Sequence, residues 1–171
     1  MSNARILERF QIVQAMDIAD TNSAATTGDY FDMSKCERCL VLVIMGDGTA
    51  ASDLDVSVHQ SDDSSGTTTA VLNCLQTGRI FTKYAASFTA AQALTGWTQA
   101  TQATADEAYE PEDTGESVGL IALEIKASDL TDGYRYIRAD LTDPGAAKYA
   151  AMVYIGELRE PNSPTLTPAC T

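Results

Sequence analysis

Cys39-Leu-Val-Leu-Val-Ile-Met45, then Gly46-Asp-Gly-Thr-Ala-Ala-Ser-Asp53, then Leu54-Asp-Val-Ser-Val-His-Gln60: this run decides the fold class. The first part is an unbroken apolar stretch in which Val41, Val43 and Ile44 are β-branched and suit a pleated surface. It is short and closed by Gly-Asp-Gly, so it predicts a strand covered on both faces rather than a helix. The last part alternates. Leu54, Val56 and Val58 point one way and Asp55, Ser57 and His59 the other, as in a strand with one face in a core and one in water. Gly46, Asp47 and Gly48 tolerate turn geometry, and a hairpin joining the two strands is the simplest arrangement.

The same signals recur outward from this pair. Phe10, Ile12 and Val13 begin a strand, and Tyr30-Phe31 is a short extended piece. Ala70–Leu75 and Ile80-Phe81 follow, with Gly78 permitting a bend. Val118–Lys126 sets Ile121, Leu123 and Ile125 on one face. Tyr134–Leu141 sets Ile137, Ala139 and Leu141 against Tyr136, Arg138 and Asp140. Ala150–Leu158 is the last strand. Asp129–Gly133 and Asp143-Pro-Gly are turns. Residues 84–117 are the least legible, with a short Ala-rich helix at 85–93, a weakly alternating strand from Trp97, and an acidic surface loop at 107–116. Short strands separated by turns indicate an all-β, antiparallel β-sandwich or barrel-like (jelly-roll-type) single domain over 16–159. An N-terminal arm or first strand occupies 1–15. A Pro-rich extended tail occupies 160–171; it has no means of ordering itself, so an ordered tail implies docking on a neighbour or on the protein's own core.

The chain has 171 residues, with 24 Asp and Glu against 11 Lys and Arg, a net charge of −13. That field repels phosphate backbones and anionic lipid and favours a basic partner surface; nucleic acid and membrane are excluded as expected partners. No apolar run approaches the roughly 20 residues of a bilayer span, and charges stand where a signal peptide would be apolar. The expected compartment is a reducing cytosol, or a particle assembled there, in which the four cysteines need not pair.

Each candidate for chemistry has a plainer alternative. Cys36-Glu-Arg-Cys39 has C-x-x-C spacing, but Cys74, Cys170 and His59 are scattered, and the motif leads into a strand rather than opening a helix. Buried small residues are the leading reading, with a metal site or a disulfide behind it. His59, the only histidine, shares a strand face with Asp55 and Ser57; a flat polar face supplies no oxyanion hole, so a solvated surface histidine is expected. Acid pairs at Asp53/Asp55, Asp62/Asp63 and Glu110/Glu112/Asp113 lack calcium-loop spacing. Gly46-Asp-Gly48 lacks the Lys-Ser/Thr of a phosphate loop. Tyr134, Tyr136, Tyr149 and Tyr154 are core and interface filler or an aromatic patch. No catalytic, cofactor-binding or metal-binding residue is assigned.

Four segments carry a resemblance: Ala25-Thr-Thr-Gly-Asp-Tyr-Phe-Asp-Met-Ser34, Leu54–Gly66, Asp132-Gly-Tyr-Arg-Tyr-Ile-Arg-Ala-Asp-Leu-Thr-Asp143 and Ala150-Ala-Met-Val-Tyr-Ile-Gly-Glu-Leu-Arg159. Their order resembles small structural proteins of tailed bacteriophages, most closely head decoration (cement) proteins. The chain departs from that group in its four cysteines and its acidic stretch at 106–116. The resemblance implies a non-enzymatic virion protein on the capsid exterior, bound to the major capsid protein, homo-oligomeric as a trimer or dimer, and without cofactor. Alternatives are a head–tail connector, tail or fibre-base protein, a carbohydrate- or calcium-binding module, and, last, a hydrolase.

Overall fold

The computed structural model describes residues 6–21, 26–48, 54–85, 96–111 and 118–160. One helical turn, α1 (Ile6–Arg9), leads into twelve strands: β1 (Phe10–Asp20), β2 (Thr26–Thr27), β3 (Phe31–Asp32), β4 (Cys36–Gly48), β5 (Val56–Ser61), β6 (Thr69–Val71), β7 (Ile80–Ala85), β8 (Thr98–Gln99), β9 (Ala108–Tyr109), β10 (Val118–Lys126), β11 (Tyr136–Leu141) and β12 (Lys148–Leu158). They form two antiparallel sheets of an all-β sandwich. The long sheet runs β1-β12-β4-β10-β7-β8. The short sheet runs β2-β11-β5-β6, with β3 also on β11 and β9 on β5.

The alternation read from the sequence sets the core. Leu54, Val56 and Val58 are buried while Asp55, Ser57 and His59 are only half-buried, and Ile121, Leu123, Ile125, Ile137, Ala139 and Leu141 all face inward. The turn glycines Gly78, Gly133 and Gly145 hold positive φ at 95°, 93° and 71°, the left-handed region in which a missing Cβ removes the steric cost.

Three expectations are corrected. The strands at 39–45 and 54–60 are not a hairpin: β4 pairs with β10 and β12 in the long sheet, and β5 with β11 in the short one. The connection therefore crosses from one sheet to the other, which its length allows. Gly46–Gly48 is not a turn, because β4 continues through Gly48, opposite Lys148. The apolar run 39–45 is not covered on both faces. Val41 and Val43 are fully buried, whereas Leu40 and Leu42 are half-buried and Ile44 is 41% exposed. Farther along, β6 covers only the start of the 70–75 stretch and β8 only two residues of the strand from Trp97, while the expected loop at 107–116 contains β9 with Tyr109 buried. The helix at 85–93, apart from Ala85 in β7, and the tail beyond Glu160 lie outside the described residues.

The sheets are tied together by Tyr154, buried on β12. Its hydroxyl accepts from Ala139 N–H at 2.8 Å and donates to the Asp29 carbonyl at 3.0 Å. Ala139 lies in β11 where the chain opposite steps out of the ladder between β2 and β3; Gly28 N–H meets its carbonyl at 3.1 Å. The Phe31 ring stacks at 5.4 Å from the Tyr154 ring and lies so close to Gly156 that a Cβ there would sit 2.5 Å from it. Tyr154→Phe leaves a strand N–H and a carbonyl without that partner. We expect it to lower unfolding free energy by about 1–3 kcal/mol in urea titration, with the fold retained.

Candidate functional site

The histidine expected on a sheet face sits in a polar clasp on the outside of the short sheet. Register places Arg138 opposite His59 and Asp140 opposite Ser57. His59 Nε2 is 3.4 Å from Asp140 Oδ2 and 3.4 Å from Ser57 Oγ. Arg138 Nη2 donates to Asp140 Oδ2 at 2.8 Å, and its Nη1 donates to Tyr30 Oη at 3.0 Å. The guanidinium carbon lies 5.1 Å from the Tyr30 ring centre, and Tyr30 Oη reaches Thr69 Oγ1 at 2.8 Å. A serine nucleophile needs the carboxylate on one imidazole nitrogen and the hydroxyl on the other. Here both approach the same nitrogen, and the carboxylate is matched by an arginine. The arrangement links β5, β6, β11 and the approach to β3, and the geometry suits cross-strand attachment rather than proton transfer. The carboxylate of the cluster is Asp140, not the expected Asp55, whose backbone instead pairs with Thr142. Alternation alone puts Arg138 and Asp140 outward on their strand; only the register of two distant strands brings them to His59.

Cys36, Cys39 and Cys74 are buried free thiols. Burial, reinforced by the Asp32 carboxylate, pushes Cys36 up to about 11. Burial pushes Cys74 up to about 12 and Cys39 well above its ordinary value. Metal binding and thiol exchange both need the thiolate, so these environments oppose both. Among the described residues, no three His, Cys, Asp or Glu side chains converge on a metal-sized space. Cys170 lies outside the described residues, as do Asp53, Glu112 and Asp113 of the acid pairs.

Asp63 folds its own loop. Its Oδ1 accepts from Ser65 N–H at 2.9 Å, Ser65 Oγ at 2.9 Å and Thr67 N–H at 3.1 Å. The hydrogen bonds from Thr67, then Ser65, hold its carboxyl down to about 2. Glu110 borders an open cleft of about 480 Å³ lined also by Tyr84, Gln102 and Tyr109. The four tyrosines do not share one patch: Tyr154 is core, Tyr149 is 52% exposed on the long sheet, and Tyr134 and Tyr136 stand just before and at the start of β11 in the short one.

The outer face of the long sheet has a different chemistry. Paired residues share a face, so register lays out its rows. Ile12, Ile155 and Leu40 form one row, ending at Glu124. Val153, Leu42, Ala122 and Phe81 form the next. Ala151, Ile44 and Leu120 form a third, ending at Lys83. Arg38 and Glu157 border the apolar rows: Glu157 takes Arg38 Nε at 2.8 Å and Arg9 Nη2 at 3.3 Å, and Arg38 reaches Glu124 at 3.8 Å. Among the described residues, the large apolar side chains that are exposed all belong, Val71 apart, to the long sheet or to residues running into it: Ile6, Leu7, Ile12, Ile18, Ile44, Trp97 and Tyr149. This face is the candidate functional site. No protein-family model matches the chain, and no curated protein is significantly similar to it.

The buried thiols have a pH consequence. An unfolded thiol ionises near 9.0, whereas Cys36 and Cys74 stay protonated in the fold to about 11 and 12. The unfolded chain thus releases protons first, and stability is complete below pH 9 and falls as pH rises. The slope is about 1.4 kcal/mol per pH unit for each thiol in its window. Urea midpoints measured from pH 7 to 10.5 would test this, as would thiol labelling at pH 8, where Cys36, Cys39 and Cys74 should react only on unfolding.

Proposed function

We propose that this chain is a non-enzymatic structural protein of a tailed-phage particle, a decoration protein that binds the outside of the major capsid protein and stabilises the head. One observation carries this reading: the surface is divided between acid and an apolar sheet face, the equipment of a protein that works by contact. Along that face and its border stand Arg9, Arg38, Lys83 and Lys126 with Asp20, Glu37, Glu124 and Glu157. The chain as a whole carries a net charge of −13. An acidic surface of that strength attracts a basic one and steers association with it. The order of turn and strand segments at 25–34, 54–66, 132–143 and 150–159 adds the resemblance to head proteins.

Two narrower alternatives have their own discriminators. A connector, tail or fibre-base position would mean six, twelve or a few copies per particle. The cleft beside Tyr84 and Tyr109 favours a carbohydrate-binding role, which a glycan array would detect.

The direct test mixes purified protein with undecorated shells and sediments them. We expect saturable binding of hundreds of copies per shell, weakening as salt screens the acidic surface. No co-sedimentation at low salt would refute the assignment.

A further inference from the structure

We propose that the outer face of the long sheet is a self-association surface on which a second copy of this chain packs, face to face, about a two-fold axis. Charge selects the partner. Two copies of a chain with net charge −13 repel each other across most approaches. Across this face that repulsion is reduced, because Arg9, Arg38, Lys83 and Lys126 border it and the two arginines pair with Glu124 and Glu157. The chemistry is also self-complementary: a face of Leu, Ile, Val and Ala packs on its own kind as the inner faces of a sandwich do, roughly 10 Å apart. A two-fold contact uses the same patch on both copies and closes, so it ends at a dimer.

Size is sufficient. The three rows span five strands, β1, β12, β4, β10 and β7; at about 4.8 Å between strands and roughly 7 Å between outward residues they make a face of roughly 500 Å². Two copies then bury about 1,000 Å², the lower limit for a specific interface. Pairing by edges is less suited to the geometry. β1, the long edge strand, is interrupted by register shifts between Gln14 and Met16 and between Met16 and Ala19. The outer side of β1 is engaged at Ala15, whose carbonyl accepts from Asp29 N–H at 2.8 Å. Bulges and cover of this kind blunt an edge against further pairing.

Light scattering on the purified full chain, over a hundredfold range of concentration, tests the proposal. We expect twice the 18.2 kDa chain mass at high concentration. Dimerisation should hold or strengthen in 0.5 M salt, opposite to the trend expected for shell binding, so the two proposals fail separately. Ile44→Lys, on the inner strand β4 in the third row, should weaken dimerisation at least tenfold, while Val71→Lys on the short sheet should leave it unchanged. If Ile44→Lys does not fold, Ile12→Lys, 53% exposed at the rim, gives the same readout. A wild-type monomer at 100 µM, a trimer, or a dimer that survives the folded lysine variant would each overturn the proposal; the first would leave the face to a different protein.

Discussion

Tyr154 stands on an inner strand of one sheet and completes the hydrogen bonding of the other, taking Ala139 N–H at 2.8 Å and giving its own proton to the Asp29 carbonyl at 3.0 Å. A buried backbone N–H without a partner costs as much as a lost hydrogen bond, so the gap between β2 and β3 needs a donor–acceptor group from elsewhere. Burial keeps the phenol protonated far above its usual range, which preserves the proton it donates. The close approach of Phe31 to Gly156, and of Gly28 to the Ala139 carbonyl, follows from the same constraint: both glycines lie where a Cβ would collide. The relative position of the sheets is therefore set by polar geometry as well as by apolar burial.

Much of the fold was legible because side-chain direction in a strand is a local property with a period of two. The inward sets on β5, β10 and β11 could be read directly from Leu54–Val58, Val118–Lys126 and Tyr136–Leu141. Pairing is not local. Neighbouring strands usually pair, which pointed to a hairpin at 39–60, but here the chain changes sheet between them. The two-residue strand β9 leaves no periodic trace, and β8 shows only as the weak alternation from Trp97. The reading of 39–45 went wrong for a physical reason: apolar residues on both faces look the same in sequence whether the second face is covered or left open. At the His59 cluster the outward direction of each residue was legible, and the meeting of Asp140, Arg138 and Tyr30 was not, because it depends on the register between β5 and β11.

The two outer faces show how one architecture serves different ends. On the short sheet, polar side chains bond one another across strands: in the group Ser57, His59, Arg138, Asp140, Tyr30 and Thr69, Arg138 Nε is the one buried donor left without a hydrogen bond. Buried and half-buried polar groups spent this way stiffen a surface more than they activate it. On the long sheet, Leu40, Leu42, Val153 and Ile155 have no polar atoms in their side chains to satisfy, and charge is confined to the border. That contrast is what separates a finished surface from one suited to receiving a partner.

The order of strands has a consequence for synthesis. β12 lies between β1 and β4, so the last of the described strands occupies a central place in the sheet that β1 opens. On the ribosome, β1 and β4 both wait with open edges until β12 has emerged. Contacts that span the chain close slowly, and open edges invite pairing with strangers. Nascent chains of this protein would therefore benefit from a chaperone, and breaks in β1 would protect it before birth as well as after.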